Sequence, residues 1–352
     1  MWLKYNLVNL LGAWRGELPK GCKWCRAGLK VSIFITGSCD ERCYYCPISF
    51  ERRKPNAFYV DEEYVTSLDI IIEEIEAVGA KGASITGGEP LLYIDRVLET
   101  IEYLKSYFGS QFHIHLYTNG NFATLTTLKA LDKVGLDEIR FHPVRNESLK
   151  NIELATKYTS MDVGIEVPAI PNRSEWIKNL ALFLEKIHGK FLNINELEVT
   201  ETNVENLRIR GYKVRDDAPA LKNSEETAIS IVKWAEEIGL NITIHYCPAR
   251  LKDLIQTRLR LIRKALSTAP PYASITAEGT LKFIVIDTLD KEKTNVLDYL
   301  VAKGLCVKRG DRYFLHLEAS PYLKSIKYAK VIEVYPYLRE PSLVIEEIPL
   351  NP

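Results

Sequence analysis

Three cysteines, Cys39, Cys43 and Cys46, stand at separations of four and three residues in VSIFITGSCDERCYYCP, residues 31–47. A β-rich run over 31–36 stops at Gly37, and the loop behind it is short enough to aim three sulfurs at one point. Thiolates are the usual ligands of zinc and of iron-sulfur clusters. The number three is informative. A closed structural zinc site or a simple electron-transfer cluster takes four protein ligands, so three leave one metal vertex open for a substrate or cofactor. A purely structural role fits poorly with the polar Asp40-Glu41-Arg42 between the first two thiols.

This loop, with aromatic Tyr45 directly before the last thiol, resembles the cluster-binding loop of the radical S-adenosylmethionine (radical SAM) superfamily. The resemblance implies a 4Fe-4S cluster on Cys39, Cys43 and Cys46, its fourth iron chelated by the amino and carboxylate groups of S-adenosylmethionine. One electron then cleaves the sulfonium, and the 5'-deoxyadenosyl radical abstracts hydrogen from a substrate. Gly87-Gly88-Glu89-Pro90, immediately after a predicted strand, is similar to the family's element for the methionine amino group. That role passes to Gly87, Gly88 and Glu89, with Pro90 shaping the turn. Tyr117-Thr118-Asn119-Gly120 is similar to the family's third strand end, which puts Thr118 and Asn119 beside the cofactor, and Tyr45 is implied to meet its adenine. The resemblance runs over residues 31–247 and looks most like archaeal proteins related to pyruvate formate-lyase activating enzymes.

A chain of 352 residues with 46% hydrophobic content can bury a large core and a smaller second one. Lys plus Arg and Asp plus Glu both number 46, so any polyanion site must be a local patch. The apolar run in residues 1–20 is interrupted by Arg15 and Glu17, too soon to span a bilayer, and a cytoplasmic protein is expected. Seven clustered cysteines fit reduced metal ligands better than a disulfide framework.

To position the loop, the chain alternates strands and amphipathic helices. Strands are predicted over 31–36, 81–86, 112–118, 138–142, 162–167, 193–200 and 241–246, with helices between them over 61–78, 94–107, 123–134, 147–158, 174–187 and 224–238. Such βαβ repetition gives a parallel sheet, and this many units favours a partial (β/α)6-type TIM barrel over a doubly wound sheet. Functional loops then lie at the carboxyl ends of the strands. The expected organisation is an extension over 1–30, a barrel over 31–248, a basic helix over 249–269, and a small α+β domain over 270–352 whose helix and hairpin look like part of a winged helix.

His113 and His115 share one face of the third strand and Arg140 and His142 one face of the fourth, as candidates for a polar interior. Glu166 lies on the fifth strand, and Glu196, Glu198 and Thr200 alternate along the sixth before Asn203. Buried carboxylates need partners. The resemblance makes Glu166, Glu198 and Asn203 candidates for contacts to the cofactor or substrate.

A second thiol set, Cys22 and Cys25 with His245 and Cys247, has the chemistry to hold zinc or a second iron-sulfur cluster. It competes with a reading as unrelated free thiols, because five residues between Cys25 and the first strand reach only ~17 Å. Cys306 in its apolar context reads as core. Arg250, Lys252, Arg258, Arg260, Arg263 and Lys264 form a basic helix face, either solvated or set against phosphate on RNA or a small molecule. The substrate stays open. A small molecule, a partner polypeptide receiving a radical and an RNA are alternatives, beside a non-catalytic zinc or iron-sulfur scaffold. Reductive chemistry also requires an electron donor of the ferredoxin or flavodoxin type.

Overall fold

The computed structural model describes residues 11–287, 294–323, 326, 328–339 and 343–350. The chain divides into two compact units, residues 1–75 with 80–256 and residues 76–79 with 257–352. The division thus falls inside the segment read as one basic helix.

The first unit runs β1 (Ala13–Arg15), α1 (Lys20–Arg26), β2 (Lys30–Phe34), the hairpin β3 (Tyr59–Val60) and β4 (Glu63–Tyr64), α2 (Asp69–Val78), β5 (Gly82–Thr86), α3 (Ile94–Phe108), β6 (His113–Thr118), α4 (Leu125–Lys133), β7 (Glu138–Phe141), α5 (Glu147–Tyr158), β8 (Asp162–Pro168), α6 (Ser174–Lys186), β9 (Phe191–Asn195), α7 (Val204–Ile209), α8 (Ser224–Glu237) and β10 (Thr243–Cys247). Its ten strands follow the order β1-β10-β9-β8-β7-β6-β5-β2-β3-β4, and from β10 to β2 all seven are parallel. This is the partial TIM-type barrel expected. The order is a line rather than a ring: β1 lies antiparallel on β10 and β3 antiparallel on β2, so both ends of the parallel wall are covered.

Each strand splits its residues by the period-two rule. Ile114, Leu116, Ile139, Phe141, Ile165, Leu192, Ile194 and Ile244 are fully buried on the helix-packed face. The other face carries His113, His115, Tyr117, Glu138, Arg140, Glu166, Asn193, Asn195 and His245, joined side chain to side chain and therefore facing one interior. Helix α1 packs on that polar face. A side chain at Gly21 would sit 2.6 Å from His115 Nδ1 and 2.7 Å from Arg140 Nη2, so a residue without Cβ lets the helix approach. Residues 20–26 of the segment read as an extension thus pack into the barrel interior.

Strand β9 stops at Asn195, short of the predicted Thr200. Glu196 N still donates to Cys247 O at 2.9 Å, but Leu197 N donates to Ser224 Oγ at 2.8 Å, which takes it from the ladder, while the Glu196 carboxylate accepts from Arg215 Nη1 at 2.7 Å and the Ala249 N–H at 2.9 Å. Only a single bridge, Glu198 to Ala220, continues beyond.

The second unit contains α9 (Arg258–Thr268), β11 (Ser274–Ile275), β12 (Leu281–Asp287), α10 (Thr294–Ala302), β13 (Cys306–Arg309), β14 (Arg312–Leu315), β15 (Ala329–Val334) and β16 (Val344–Pro349). The hairpin read as winged-helix-like belongs to a six-stranded sheet, β13-β14-β12-β15-β16 with β11 on β12, and the helix α10 packs against that sheet. Strand β12 buries both faces: Ile284 and Ile286 pack with Leu297, Leu300 and Tyr313, and Phe283 and Val285 pack with Ala265 and Tyr272. Cys306 lies in the first of these cores, as read.

Candidate active site

The cysteine loop leaves β2 and is held against the turn after β5 by main-chain bonds. Gly88 N donates to Thr36 O and Glu89 N to Ser38 O, both at 2.7 Å. A Cβ on Gly88 would stand 2.2 Å from Ser38 O, and one on Gly87, at φ +153°, 2.5 Å from Thr36 O. Two glycines are therefore needed for backbone to meet backbone. The Glu89 side chain is fully buried and accepts from Leu91 N, Thr118 Oγ1 and Asn119 N at 2.9, 2.8 and 2.7 Å. These three protein donors occupy the carboxylate that the resemblance set beside an ammonium group. The carboxylate ties the glycine turn to the end of β6, and burial pushes it up to about 7 against the three donors. Pro90 is buried and opens the short helix Pro90–Tyr93. Asn119 Nδ2 donates to Asp40 Oδ1 at 2.7 Å, and Asn121 Nδ2 to Asp40 Oδ2 at 2.7 Å and Glu41 Oε1 at 2.9 Å. The end of the third barrel strand thus pins the acidic part of the cysteine loop.

On the opposite side Tyr45 is fixed from two directions. Asn203 Nδ2 donates to Tyr45 O at 3.0 Å, so Asn203 braces the loop. The Tyr45 hydroxyl meets His142 Nε2 at 2.8 Å, and His142 Nδ1 lies 3.1 Å from Glu166 O. A carbonyl only accepts, so Nδ1 carries the proton and Nε2 accepts from the phenol. Burial keeps His142 neutral by lowering its pKa.

Below lies the charged part of the interior. Glu166 accepts from Arg140 Nη1 at 2.8 Å, Asn193 Nδ2 at 2.9 Å and Asn195 Nδ2 at 2.8 Å. Burial alone would raise its pKa, but Arg140 and the two amides bring it to about 2. Arg140 also pairs with Glu138 at 2.5 Å. Glu198 is paired with Lys252. Burial opposes the lysine charge, and Glu198 with Cys247 pushes its pKa above the ordinary range.

One cavity of about 850 Å³ at the carboxyl ends of the strands collects Cys39, Cys43, Cys46, Tyr45, Gly87, Gly88, Thr118, Asn119, Glu166 and Glu198. Sequence reasoning missed Tyr117, Asn195 and, as a wall residue, Lys252. The period-two pattern could have found the first two; Lys252 was absorbed into the basic helix. That helix does not form as read. Lys252–Thr257 is a π-helical segment, Arg250 pairs with Asp217 at 2.5 Å, and Arg260 and Lys264 are buried, with Lys264 Nζ 5.6 Å over the Tyr337 ring.

The second thiol set is brought together only in part. Cys22 Sγ lies 3.4 Å from both Arg140 Nη2 and Asn193 Nδ2, and His245 Nδ1 is bonded to Asn193 Oδ1 at 3.2 Å. Burial raises Cys22 to about 11 and Cys247 to about 12, with Cys25 adding repulsion to both. Among the described residues no three His, Cys, Asp or Glu side chains stand as a finished metal-ligand set. The loop thiols share the cavity wall without converging; burial raises Cys39 to about 11 and Cys43 upward. Three soft donors on one wall, facing free space, fit an iron-sulfur cluster that takes a further ligand.

The sequence model of the radical SAM superfamily matches residues 33–143. A protein of Methanocaldococcus jannaschii named "putative glycyl-radical enzyme activating enzyme" is 38% identical over 361 aligned positions, 95% of this chain and 93% of the relative. A GTP 3',8-cyclase of Lactiplantibacillus plantarum is 36% identical over 112 residues, 31% of each chain. Among solved structures, SuiB of Streptococcus suis bound to S-adenosylmethionine aligns with 62% of this chain and 50% of that one, at 14% identity and a TM-score of 0.44. Similarity along nearly the whole chain, with the family match over the loop that carries Cys39, Cys43 and Cys46, places this chain in the radical SAM superfamily, enzymes that use a 4Fe-4S cluster and S-adenosylmethionine.

Proposed function

We propose that Cys39, Cys43 and Cys46 hold the 4Fe-4S cluster and that the 850 Å³ cavity beside them takes S-adenosylmethionine and the reacting part of the substrate. The observation that carries this reading is that the loop thiols, the Gly87–Gly88 turn and the polar strand ends line one cavity. When bound, the cluster and cofactor supply one-electron cleavage of a carbon–sulfur bond and hence hydrogen abstraction. The chain's own residues orient. The Gly87–Gly88 backbone offers main-chain acceptors to the ammonium group, and the Tyr45 ring, held by His142 and Asn203, walls the adenine side. Glu166, Asn195 and the Glu198–Lys252 pair present charge and amides to ribose or substrate. Anaerobic reconstitution is expected to give reductant-dependent 5'-deoxyadenosine, abolished when Cys39, Cys43 and Cys46 are changed to Ala. Product formation that survives the triple replacement would remove this reading.

The substrate we assign is a partner polypeptide, on which the enzyme installs a backbone radical at glycine. Support comes from the 38% identical relative, whose name is that of an activating enzyme for glycyl-radical proteins. A glycyl-radical partner labelled with α-deuterated glycine is expected to pass deuterium into 5'-deoxyadenosine. Unlabelled product would reject the activase and leave the cleavage chemistry standing.

A further inference from the structure

A second cavity of about 240 Å³ borders the cysteine loop, sharing Glu41, Arg42, Cys43, Tyr44, Tyr45 and Val144 with the large one. Arg42 and Arg173 border it, beside Trp176. Its one acid, Glu41, is already paired with Arg145 at 2.5 Å. Arg42, Arg53, Arg173 and Arg210 are exposed and have no carboxylate partner among the described residues. The chain as a whole is neutral, so these arginines are a local feature: Arg42 from the cluster loop and Arg173 border the small cavity, and Arg42, Arg53 and Arg210 the rim of the large one. Beneath it the surface is firm: Tyr44 stacks on Tyr212 at 6.5 Å and 3°, meets Tyr45 edge-on at 4.9 Å and packs with Tyr212 on Ile170, Leu197, Leu207 and Leu221.

We infer that this arginine collar is the docking surface for an acidic one-electron donor protein, which reaches the cluster from the Cys43 side. The inference rests on the reading of Cys39, Cys43 and Cys46 as cluster ligands. Each transfer oxidises the donor by one electron and reduces the cluster by one, and no bond is made or broken. A nucleic acid would seek arginines interleaved with open aromatic faces. Tyr44 has none to offer, because Arg210 covers it at 4.3 Å and Tyr212 lies parallel to it, which leaves Trp176 beside Arg173 and no interleaved series of rings among the described lining residues. Carboxylates of a protein surface need only the guanidinium groups, and opposite charge steers such encounters.

The test follows bleaching of the reconstituted cluster, without S-adenosylmethionine, by two reductants: a flavodoxin hydroquinone, acidic and protein-bound, and reduced benzyl viologen, a small cation that needs no docking surface. Wild-type reduction by flavodoxin is expected to slow as salt is raised. In the Arg42→Glu, Arg173→Glu double variant it is expected to fall about tenfold at low salt and to lose its salt dependence, while the viologen rate stays the same or rises. An unchanged flavodoxin rate overturns the inference. So does an equal loss with both reductants, which would mean damage to the loop, and so does loss of RNA binding with flavodoxin reduction intact, which would reassign the collar. Because no S-adenosylmethionine is present, a failure of the cleavage chemistry shows up separately, as absent 5'-deoxyadenosine with normal bleaching.

Discussion

A single atom decides the glycine turn. Any side chain at position 88 enters the space of Ser38 O at 2.2 Å, so either the turn or the cysteine loop must give way. Gly88→Ala is expected to lower stability by about 2–4 kcal/mol and to reduce iron bound per chain, read by thermal unfolding and metal analysis. The motif was legible in the sequence but its reason was not, since the contact joins residues fifty positions apart. The same holds for Glu89, whose three donors come from its own turn and from β6. Its folded pKa of about 7 stands above the ordinary 4.5, so between these values the native state keeps a proton that the unfolded chain gives up. Its contribution is complete below 4.5 and lost as pH rises through 7. Urea unfolding of the metal-free protein at pH 5 and pH 8 is expected to show this slope, flattened in Glu89→Gln.

Among elements, the polar face of β6 to β10 works as one unit. Glu166 is its centre, and its linkage has the opposite sign: with a folded pKa of about 2 it stabilises the native state above 4.5 and that stability is lost as pH falls toward 2. Glu166→Gln is expected to cost ~3 kcal/mol at neutral pH and to lose correspondingly less on acidification, measured by denaturant melts from pH 7 to 3. The strands and helices were legible because their apolar residues keep period. The end of β9 was not, because the Leu197 N–H is taken by the side chain of Ser224, 27 positions away. His142 could be named from its strand face, but its link to Tyr45 spans 97 positions. Changing it to Ala is expected to weaken S-adenosylmethionine binding ~5- to 10-fold, the scale of one lost positioning hydrogen bond, with the cluster spectrum retained; an unchanged affinity would separate the Tyr45 ring from the cofactor.

For the molecule as a whole, equal numbers of acids and bases conceal an uneven placement. Helical spacing over 250–267 suggested a basic face toward solvent, yet the fold spends Lys252 inside the cavity and buries Arg260 and Lys264. Periodicity reports which residues share a stripe and not whether a lysine stem is packed under an aromatic ring. Lys264→Gln is therefore expected to lower stability by about 1–3 kcal/mol and to leave any RNA affinity unmoved, checked by calorimetry and a filter-binding titration. An enzyme of this class must also survive its own reactivity. A phenol O–H is among the weakest bonds a side chain can offer to a hydrogen thief, and Tyr45 stands on the wall of the reacting space. Its hydrogen is turned into the bare ring nitrogen of His142, which is itself locked by the Glu166 carbonyl. The imidazole thereby keeps that hydrogen out of the line of attack, a safeguard against self-quenching.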